Sequence, residues 1–168
     1  TEFYNMSGFP YVRGQFLGLL QVFKVLRYND FSLPNNTPVG EQSPDDGPID
    51  TQLTHSRDGR DWKRFEDRSP LILRGDPGSF DAGCILGVCN PPVIYKDEIW
   101  VYYSAVNTTH GGALPPKRIT IGRASWRLDG FVSLNAGSSG GIVETVPLVV
   151  PNGHLEVNAD ASQGSMAV

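Results

Sequence analysis

Two stretches of the sequence decide the fold: Phe16-Leu-Gly-Leu-Leu-Gln-Val-Phe23 and Glu98-Ile-Trp-Val-Tyr-Tyr-Ser-Ala105. In both stretches the two alternating sets of side chains are apolar, so that Val101, for example, is flanked by Trp100 and Tyr102. A strand with this pattern has to be covered on both of its faces. The sequence therefore predicts two central strands that each lie between other layers of the protein.

These stretches occupy the same place in a repeated order of elements. Each copy consists of four candidate strands, at 8–12, 16–23, 49–56 and 62–65 in the first copy and at 90–95, 98–105, 118–125 and 131–134 in the second. Each copy predicts an antiparallel meander. Meanders are covered on both faces when they stack around a common axis, so we predict two four-stranded blades of a β-propeller.

The composition favours an all-β fold and excludes two kinds of partner. Glycine (19 residues), proline (13) and β-branched or aromatic residues outweigh strong helix formers. The net charge of −4 leaves no basic surplus for a phosphate backbone, so we expect no nucleic-acid partner. The longest apolar run, 16–26, is interrupted by Gln21 and Lys24 and is too short for a membrane span.

The pattern changes after Leu134, which predicts a domain boundary. We assign 1–135 to propeller blades and 136–168 to the first strands of an incomplete β-sandwich, with strands at 142–150 and 154–159. The alternative is an extra strand pair that completes the propeller. Because two blades cannot close a ring and the chain starts at Thr1 without a leader, we expect further blades and a secretory or periplasmic signal upstream.

The cysteines and histidines predict neither a disulfide nor a metal centre. In one extended strand Cys84 and Cys89 would lie about 16 Å apart, beyond disulfide reach, so a bridge would need a tight turn at Gly87. We expect two reduced thiols. The three histidines are isolated, which argues against zinc. A structural Ca²⁺ is conceivable in a propeller, but no sequence pattern supports it.

One hairpin carries a recognisable turn. In Ser56-Arg-Asp-Gly-Arg-Asp-Trp62, Asp58-Gly59 is predicted to form the tight turn, and Trp62 to return and pack beneath it. This hairpin resembles the shortened Asp-box turn found between the outer strands of sugar-active propellers. Such a turn marks the architecture and says nothing of the reaction.

Segments along nearly the whole chain carry a family resemblance. They are the 56–62 hairpin, Gly47-Pro-Ile-Asp-Thr-Gln-Leu53, Gly78-Ser-Phe-Asp-Ala-Gly83, Asp97-Glu-Ile-Trp-Val-Tyr-Tyr103, Asp129-Gly-Phe-Val-Ser-Leu134 and Val157-Asn-Ala-Asp-Ala161. With them the chain resembles uncharacterised proteins grouped with the five-bladed β-propeller glycosidases, which are similar to glycoside hydrolase families 32 and 43. The resemblance covers the later blades and the start of the following sandwich.

The resemblance implies hydrolysis of O-glycosidic bonds in an oligo- or polysaccharide, by inward-facing carboxylates and without an organic cofactor. One carboxyl group protonates the leaving oxygen while another attacks or activates water. The Asn-Asp-Pro-Asn-Gly signature of family 32 is absent, and Arg74-Gly-Asp-Pro77 only partly matches an Arg-Asp-Pro motif. The nucleophile would then lie upstream, or the propeller is a non-catalytic module that binds a glycan or a protein. A purely structural spacer is the third reading.

Strand direction selects the candidate site residues. If the first strand of each blade runs away from the active face, five residues meet at one mouth: Tyr4, Asn5, Asp50, Asp81 and His110. We predict Asp81 and Asp50 as catalytic carboxylates, and His110, Asn5 and Tyr4 as substrate-binding residues. The structural alternatives are a capping role for Asp81, a solvated Asp50, an exposed loop histidine and a core position for Tyr4.

The same directions place a second group of aspartates at the other end of the strands. Asp58, Asp97 and Asp129 all fall in predicted turns. We expect these three to be solvated turn residues without a part in chemistry.

Overall fold

The computed structural model describes residues 2–12, 14–27, 45–88, 91–112, 114–147, 149–150 and 153–168. These residues form ten strands and no α-helix, so the all-β prediction is confirmed. The strands are β1 (Glu2–Val12), β2 (Gln15–Phe23), β3 (Leu26–Arg27), β4 (Asp45–Asp46), β5 (Ile49–Ser56), β6 (Lys63–Arg64), β7 (Cys84–Leu86), β8 (Val93–Tyr95), β9 (Glu98–Val106) and β10 (Ile119–Arg127).

Eight of these strands form one sheet that curls into a half-barrel. Its order is β1-β2-β5-β7-β9-β10, with β6 beside β5 and β8 beside β9, while β3 and β4 form a separate pair. All pairings are antiparallel except one, the parallel pair Ile49–Cys84 that joins β5 to β7. The two predicted meanders are therefore joined by hydrogen bonds into a single sheet.

The first meander forms largely as predicted, and the second departs from its pattern at both ends. In the first, β1 begins earlier than expected, at Glu2, and the fourth strand is reduced to the two residues of β6. In the second, only β8 forms within the described part of the first strand predicted at 90–95, and a strand that was not predicted, β7, precedes it; both pair with β9. The strand predicted at 131–134 does not form, because Phe131 turns inward and packs against Tyr11 and Trp126.

Coverage of the two central strands also differs. Leu17 to Val22 of β2 are buried without exception, as predicted for a strand enclosed on both faces. In β9, Ile99, Val101 and Tyr103 are buried, but Tyr102 on the opposite face is 38% exposed. The prediction that β9 is covered on both faces is therefore wrong in this structure.

The main hydrophobic core lies inside the curl of the larger sheet. Its buried members come from five strands and the loops between them: Phe9, Leu17, Leu19, Leu53, Ile72, Ile85, Val88, Val101, Tyr103 and Ala105. The outer strands β1 and β10 approach each other, since the Tyr11 hydroxyl donates a hydrogen bond to Asp129 in the turn after β10. Burial and the nearby Asp129 carboxylate raise the pKa of Tyr11 to about 12.

The predicted 56–62 hairpin forms with its expected contacts. Asp58 Oδ1 accepts hydrogen bonds from the backbone N–H groups of Arg60 and Asp61, each at 2.8 Å. These bonds lower the pKa of the Asp58 carboxyl group. The Trp62 ring packs so closely against β1 and β2 that a Cβ added to Gly8 or Gly18 would lie 2.9 Å from it. The hairpin therefore fixes Trp62 on the first meander.

The chain divides into two compact units, Thr1–Val132 and Ser133–Val168. The described residues of the second unit contain no strand, so the strands expected at 142–150 and 154–159 are not formed there. Apolar side chains such as Ile142 and Val149 are 97% and 94% exposed, because no neighbouring strand covers them. Within the described residues there is no helix of the length and apolar character needed to cross a membrane.

Candidate functional site

The candidate residues lie at one end of the larger sheet, which we call the site end. Here β1, β5 and β7 begin and β2 and β9 finish, as the pairs Phe3–Val22, Ile49–Cys84 and Cys84–Val106 show. The opposite end, which we call the turn end, carries the 56–62 hairpin, the β8–β9 turn and the turn after β10. Asp58, Asp97 and Asp129 are exposed in these turns, as expected.

Tyr4 and His110 meet at the site end. Phe3 pairs with Val22 and Asn5 with Gln21, so Tyr4 is an extra residue that forms a bulge in β1. A bulge changes the direction of its side chain. The Tyr4 hydroxyl consequently lies 3.1 Å from His110 Nε2, and the two ring centroids are 5.2 Å apart. The two predicted binding residues, more than 100 positions apart in the chain, form one hydrogen-bonded pair.

This pair forms part of an accessible aromatic surface. Tyr4 is 50% exposed, so it is not the core residue that the structural alternative supposed. The Phe23 ring packs on His110 with a centroid distance of 5.5 Å. Asn5 is exposed beside Tyr4, but its Oδ1 accepts a hydrogen bond from the Met6 N–H at 2.7 Å and so stabilises the bulge. Tyr4, His110 and Phe23 are called the aromatic site below.

Asp50 is buried and held by two cations. Its side chain is 2% exposed, with Oδ1 2.8 Å from Arg74 Nε and Oδ2 2.5 Å from Lys24 Nζ. The Lys24 contact is an ion pair without hydrogen-bond alignment. Arg74 also donates to the Ala82 carbonyl at 2.9 Å, so Asp50 fastens β5 to the segment that leads into β7. This is not the solvated acid that the alternative reading expected.

Asp81 is also buried, and two hydroxyl groups donate to it. Oδ1 accepts from Ser79 Oγ at 2.8 Å and Oδ2 from Tyr103 Oη at 3.1 Å. Burial, together with the hydrogen bond to Asp81 and its charge, raises the pKa of Tyr103 to about 12, so this phenol stays a donor at neutral pH. The backbone also approaches closely, since a Cβ on Gly75 would lie 2.2 Å from Asp81 Oδ1.

The candidates thus form two groups at the same end of the sheet. One is the Tyr4–His110 pair, and the other links Asp50 through Arg74 to the Ala82 carbonyl beside Asp81. In the described part of the chain no hydrogen bond or ion pair joins either carboxylate to the aromatic site. Backbone packing connects the groups instead, because a Cβ on Gly83 would lie 1.7 Å from the carbonyl oxygen of Thr108.

Four further residues make contacts at the site end, and the sequence did not predict them. Lys24 and Tyr103 contact the two aspartates, Lys117 donates to the His110 carbonyl, and Asp46 accepts hydrogen bonds from the loop that carries His110. No sequence signal marked these four residues. Arg74, by contrast, stood in the partial Arg-Asp-Pro match, which marked its position without its role.

Cys84 lies buried at this end as a free thiol. Burial raises its pKa to about 11, so it is protonated at neutral pH. Cys89 lies outside the described residues, so the structure bears on the expected reduced state of Cys84 only. Within the described ranges no group of three His, Cys, Asp or Glu side chains is arranged to hold a metal ion. Comparisons with family models, with curated proteins and with solved structures find no match to this chain.

Proposed function

We propose that the chain is part of a carbohydrate-active protein that binds an oligosaccharide at its aromatic site. The observation that carries the proposal is the half-exposed Tyr4 ring, which a strand bulge and the His110 hydrogen bond hold at the site end. A sugar ring presents an apolar C–H face and a rim of hydroxyl groups. Tyr4 offers a flat apolar face, and the Tyr4 hydroxyl and His110 ring offer donors and acceptors for the rim.

The repeated order of elements in the two meanders supports a propeller as the architecture of the complete protein, whereas in this structure the two are hydrogen-bonded into one curled sheet. Both meanders begin at the site end, in β1 and β7, and their central strands β2 and β9 both finish there. The hairpin that resembles an Asp-box turn lies at the opposite end, with Trp62 packed beneath it. In the proposed architecture these meanders are two of five blades, and the second unit opens a β-sandwich.

Hydrolysis of the bound sugar is the second function, and Asp81 is the residue that favours it. Asp81 is a buried carboxylate at the site end, oriented by the hydroxyl groups of Ser79 and Tyr103. Asp50 is neutralised by Lys24 and Arg74, which suits a residue that sets the local charge better than a nucleophile. Glycosyl transfer needs two carboxyl groups. In the proposal the second comes from blades outside this chain.

Sugar binding is tested with Tyr4→Ala and its matched control Tyr95→Ala. The two tyrosines are almost equally exposed, at 50% and 49%, but Tyr95 lies beside the turn end. We expect Tyr4→Ala to weaken oligosaccharide binding about tenfold or more, because the aromatic contact and the hydrogen bond to the sugar are lost. Titration calorimetry against a panel of oligosaccharides measures this affinity. Tyr95→Ala should bind as the parent does. Equal affinities in both variants, or no bound sugar at all, would contradict the binding proposal.

Hydrolysis is tested separately on the complete protein with aryl glycosides and oligosaccharides. Asp81→Asn keeps the size of the side chain and removes its acid–base chemistry, so turnover should fall by about a hundredfold or more while sugar binding stays close to that of the parent. No turnover of any substrate by the parent, with intact sugar binding, would support the non-catalytic glycan-binding module. Unchanged turnover in Asp81→Asn would exclude Asp81 as a catalytic carboxylate.

A further inference from the structure

Asp46 is a buried carboxylate that accepts hydrogen bonds from the loop of His110. It is 1% exposed and lies in β4, at the start of the segment that leads into β5. One carboxylate oxygen accepts a hydrogen bond from Thr109 Oγ1, and the other accepts from the Gly111 N–H at 2.5 Å. These two donors stand immediately before and after His110 in the chain. Asp46 therefore contacts both neighbours of the predicted binding histidine.

The backbone of His110 itself is held by the same segment. Its N–H donates to the Gly47 carbonyl at 2.9 Å, and its own carbonyl accepts from Lys117 Nζ. Three successive residues of the loop, 109 to 111, thus donate to Asp46 and Gly47. An arrangement with this many bonds leaves the His110 backbone little freedom to rotate.

Packing around Gly111 and Gly112 removes further freedom. A Cβ on Gly111 would lie 2.9 Å from Asp46 Cγ, and one on Gly112 would lie 2.3 Å from Thr108 Oγ1. The loop therefore approaches the carboxylate more closely than a residue with a side chain would allow. The contact between Asp46 and the loop depends on both the carboxylate and the glycine.

We infer that Asp46 is a positioning residue: it fixes the direction in which the His110 ring points, and thereby holds that ring against Tyr4. The reason lies in the donors. A carboxylate has two acceptor oxygens and no donor, which matches the Thr109 hydroxyl and the Gly111 N–H. An asparagine at the same position would turn an N–H₂ group toward one of these two donors. The consequence for sugar affinity rests on the proposed function, whereas the effect on the ring does not.

The first experiment compares Asp46→Asn with Asp58→Asn by NMR of the whole chain. Asp58 lies at the turn end and does not contact the loop, so its variant controls for the loss of an aspartate charge elsewhere in the sheet. His110 signals are assigned by their loss in His110→Gln. We expect Asp46→Asn to weaken the nuclear Overhauser contacts between the rings of Tyr4 and His110 by half or more, and to shift the Gly111 amide. Unchanged ring contacts, or equal changes in Asp58→Asn, would overturn the inference.

The second experiment uses the close packing at Gly111 and stays informative if Asp46→Asn folds poorly. Gly111→Ala should displace the Asp46 carboxylate and weaken the same ring contacts. In the background of Asp46→Ala the contacts with Cγ and Oδ1 are removed and only Cβ remains, at 3.3 Å, so adding Gly111→Ala should change much less. This non-additivity is expected only if the two residues act through one contact. Additive effects of the two changes would contradict the inference.

Sugar binding provides the third measurement and separates the two proposals. For an oligosaccharide that the parent binds, Asp46→Asn should weaken binding about tenfold, in line with the loss of a charge-assisted hydrogen bond. If no oligosaccharide binds the parent, the proposed function fails, and the ring contacts still decide the role of Asp46. If the ring contacts change and sugar affinity does not, Asp46 positions His110 for something other than the sugar, and the affinity part of the inference is wrong.

Discussion

Asp58 at the turn end and the buried Asp46 and Asp50 at the site end have partners of opposite kinds, near in the chain for Asp58 and distant for the other two. At the turn end, Asp58 is exposed and accepts hydrogen bonds from residues two and three positions further along the chain. At the site end, Asp46 and Asp50 are buried, and their partners Gly111 and Arg74 are 65 and 24 positions away. A local turn pattern is enough to predict the first arrangement, whereas the second exists only once the sheet has formed. The site end should therefore be far more sensitive to single changes.

Gly83→Ala should have the largest effect. A Cβ would lie 1.7 Å from the carbonyl oxygen of Thr108, so the backbone itself has to move. Since the contact joins the segment of Asp81 to the loop of His110, we expect the free energy of unfolding to fall by about 3 kcal/mol. Urea denaturation measures this loss. Gly137→Ala, where a Cβ would meet nothing within 4 Å, is the control and should change little.

Asp50→Asn should have the second-largest effect on the free energy of unfolding. The substitution removes the charge that faces Lys24 and Arg74, and we expect a loss of about 2 kcal/mol, because both cations are partly exposed and regain some hydration. Asp97→Asn in the β8–β9 turn is the matched control. The loss should shrink when Arg74 is also changed to Met, since one of the two unpaired charges is then gone. A control variant as destabilised as Asp50→Asn would remove the distinction between the two ends.

Tyr103→Phe should cost about 1 kcal/mol at pH 7, because Asp81 loses one of its two hydroxyl donors. It should also alter the response to alkali. The pKa of Tyr103 is raised from 10.0 to about 12 in the folded protein, so the unfolded chain releases its proton first and stability falls between these pH values. Denaturation at pH 8 to 11.5 should show a shallower fall in the variant. Tyr102→Phe, one residue away on the other face of β9, is the matched control.

Asp58→Asn should have the smallest effect, and one confined to the turn end. Hydrogen bonds from Arg60 and Asp61 lower the pKa of the carboxyl group below its usual 3.8 in the folded state. The stabilisation is therefore complete above that value and disappears as the pH falls through the folded-state pKa. The parent and the variant should differ slightly at pH 7, and in thermal denaturation the difference should shrink as the pH is lowered below 3.8. The Tyr4–His110 ring contacts should be unaffected, and a change there would show that the two ends are coupled.

The sequence predicted most reliably what depends on neighbours in the chain. The apolar run of β2 identified a strand that is buried from Leu17 to Val22, and the Ser56–Trp62 pattern identified its hairpin. Alternating strand direction was enough to place Tyr4 and His110 at the same end. These successes share one cause, since each follows from the period of a strand or from the chemistry of a single turn.

The remaining features could not be predicted because their determinants are distant in the chain. Arg74 and Asp46 find their partners only through the order of strands in the sheet. The strand expected at 131–134 is lost because the Phe131 ring packs on Tyr11, a residue of the opposite outer strand. In the second unit an apolar pattern predicts strands, but a strand also needs a neighbour to receive its hydrogen bonds.

The single parallel pair between β5 and β7 determines which acids become neighbours. Parallel neighbours start at the same end, so after Ser56 the chain has to travel back along the whole sheet before it enters β7 at Cys84. The segment that runs back places Arg74 beside Asp50. It also places Asp81 at the end of the sheet where β5 and β7 begin. A direct reversal would have brought Asp81 out next to Asp58, with Arg74 far from its carboxylate. The direction of one short strand thus decides that Asp81 lies at the same end of the sheet as Asp50 and not beside Asp58.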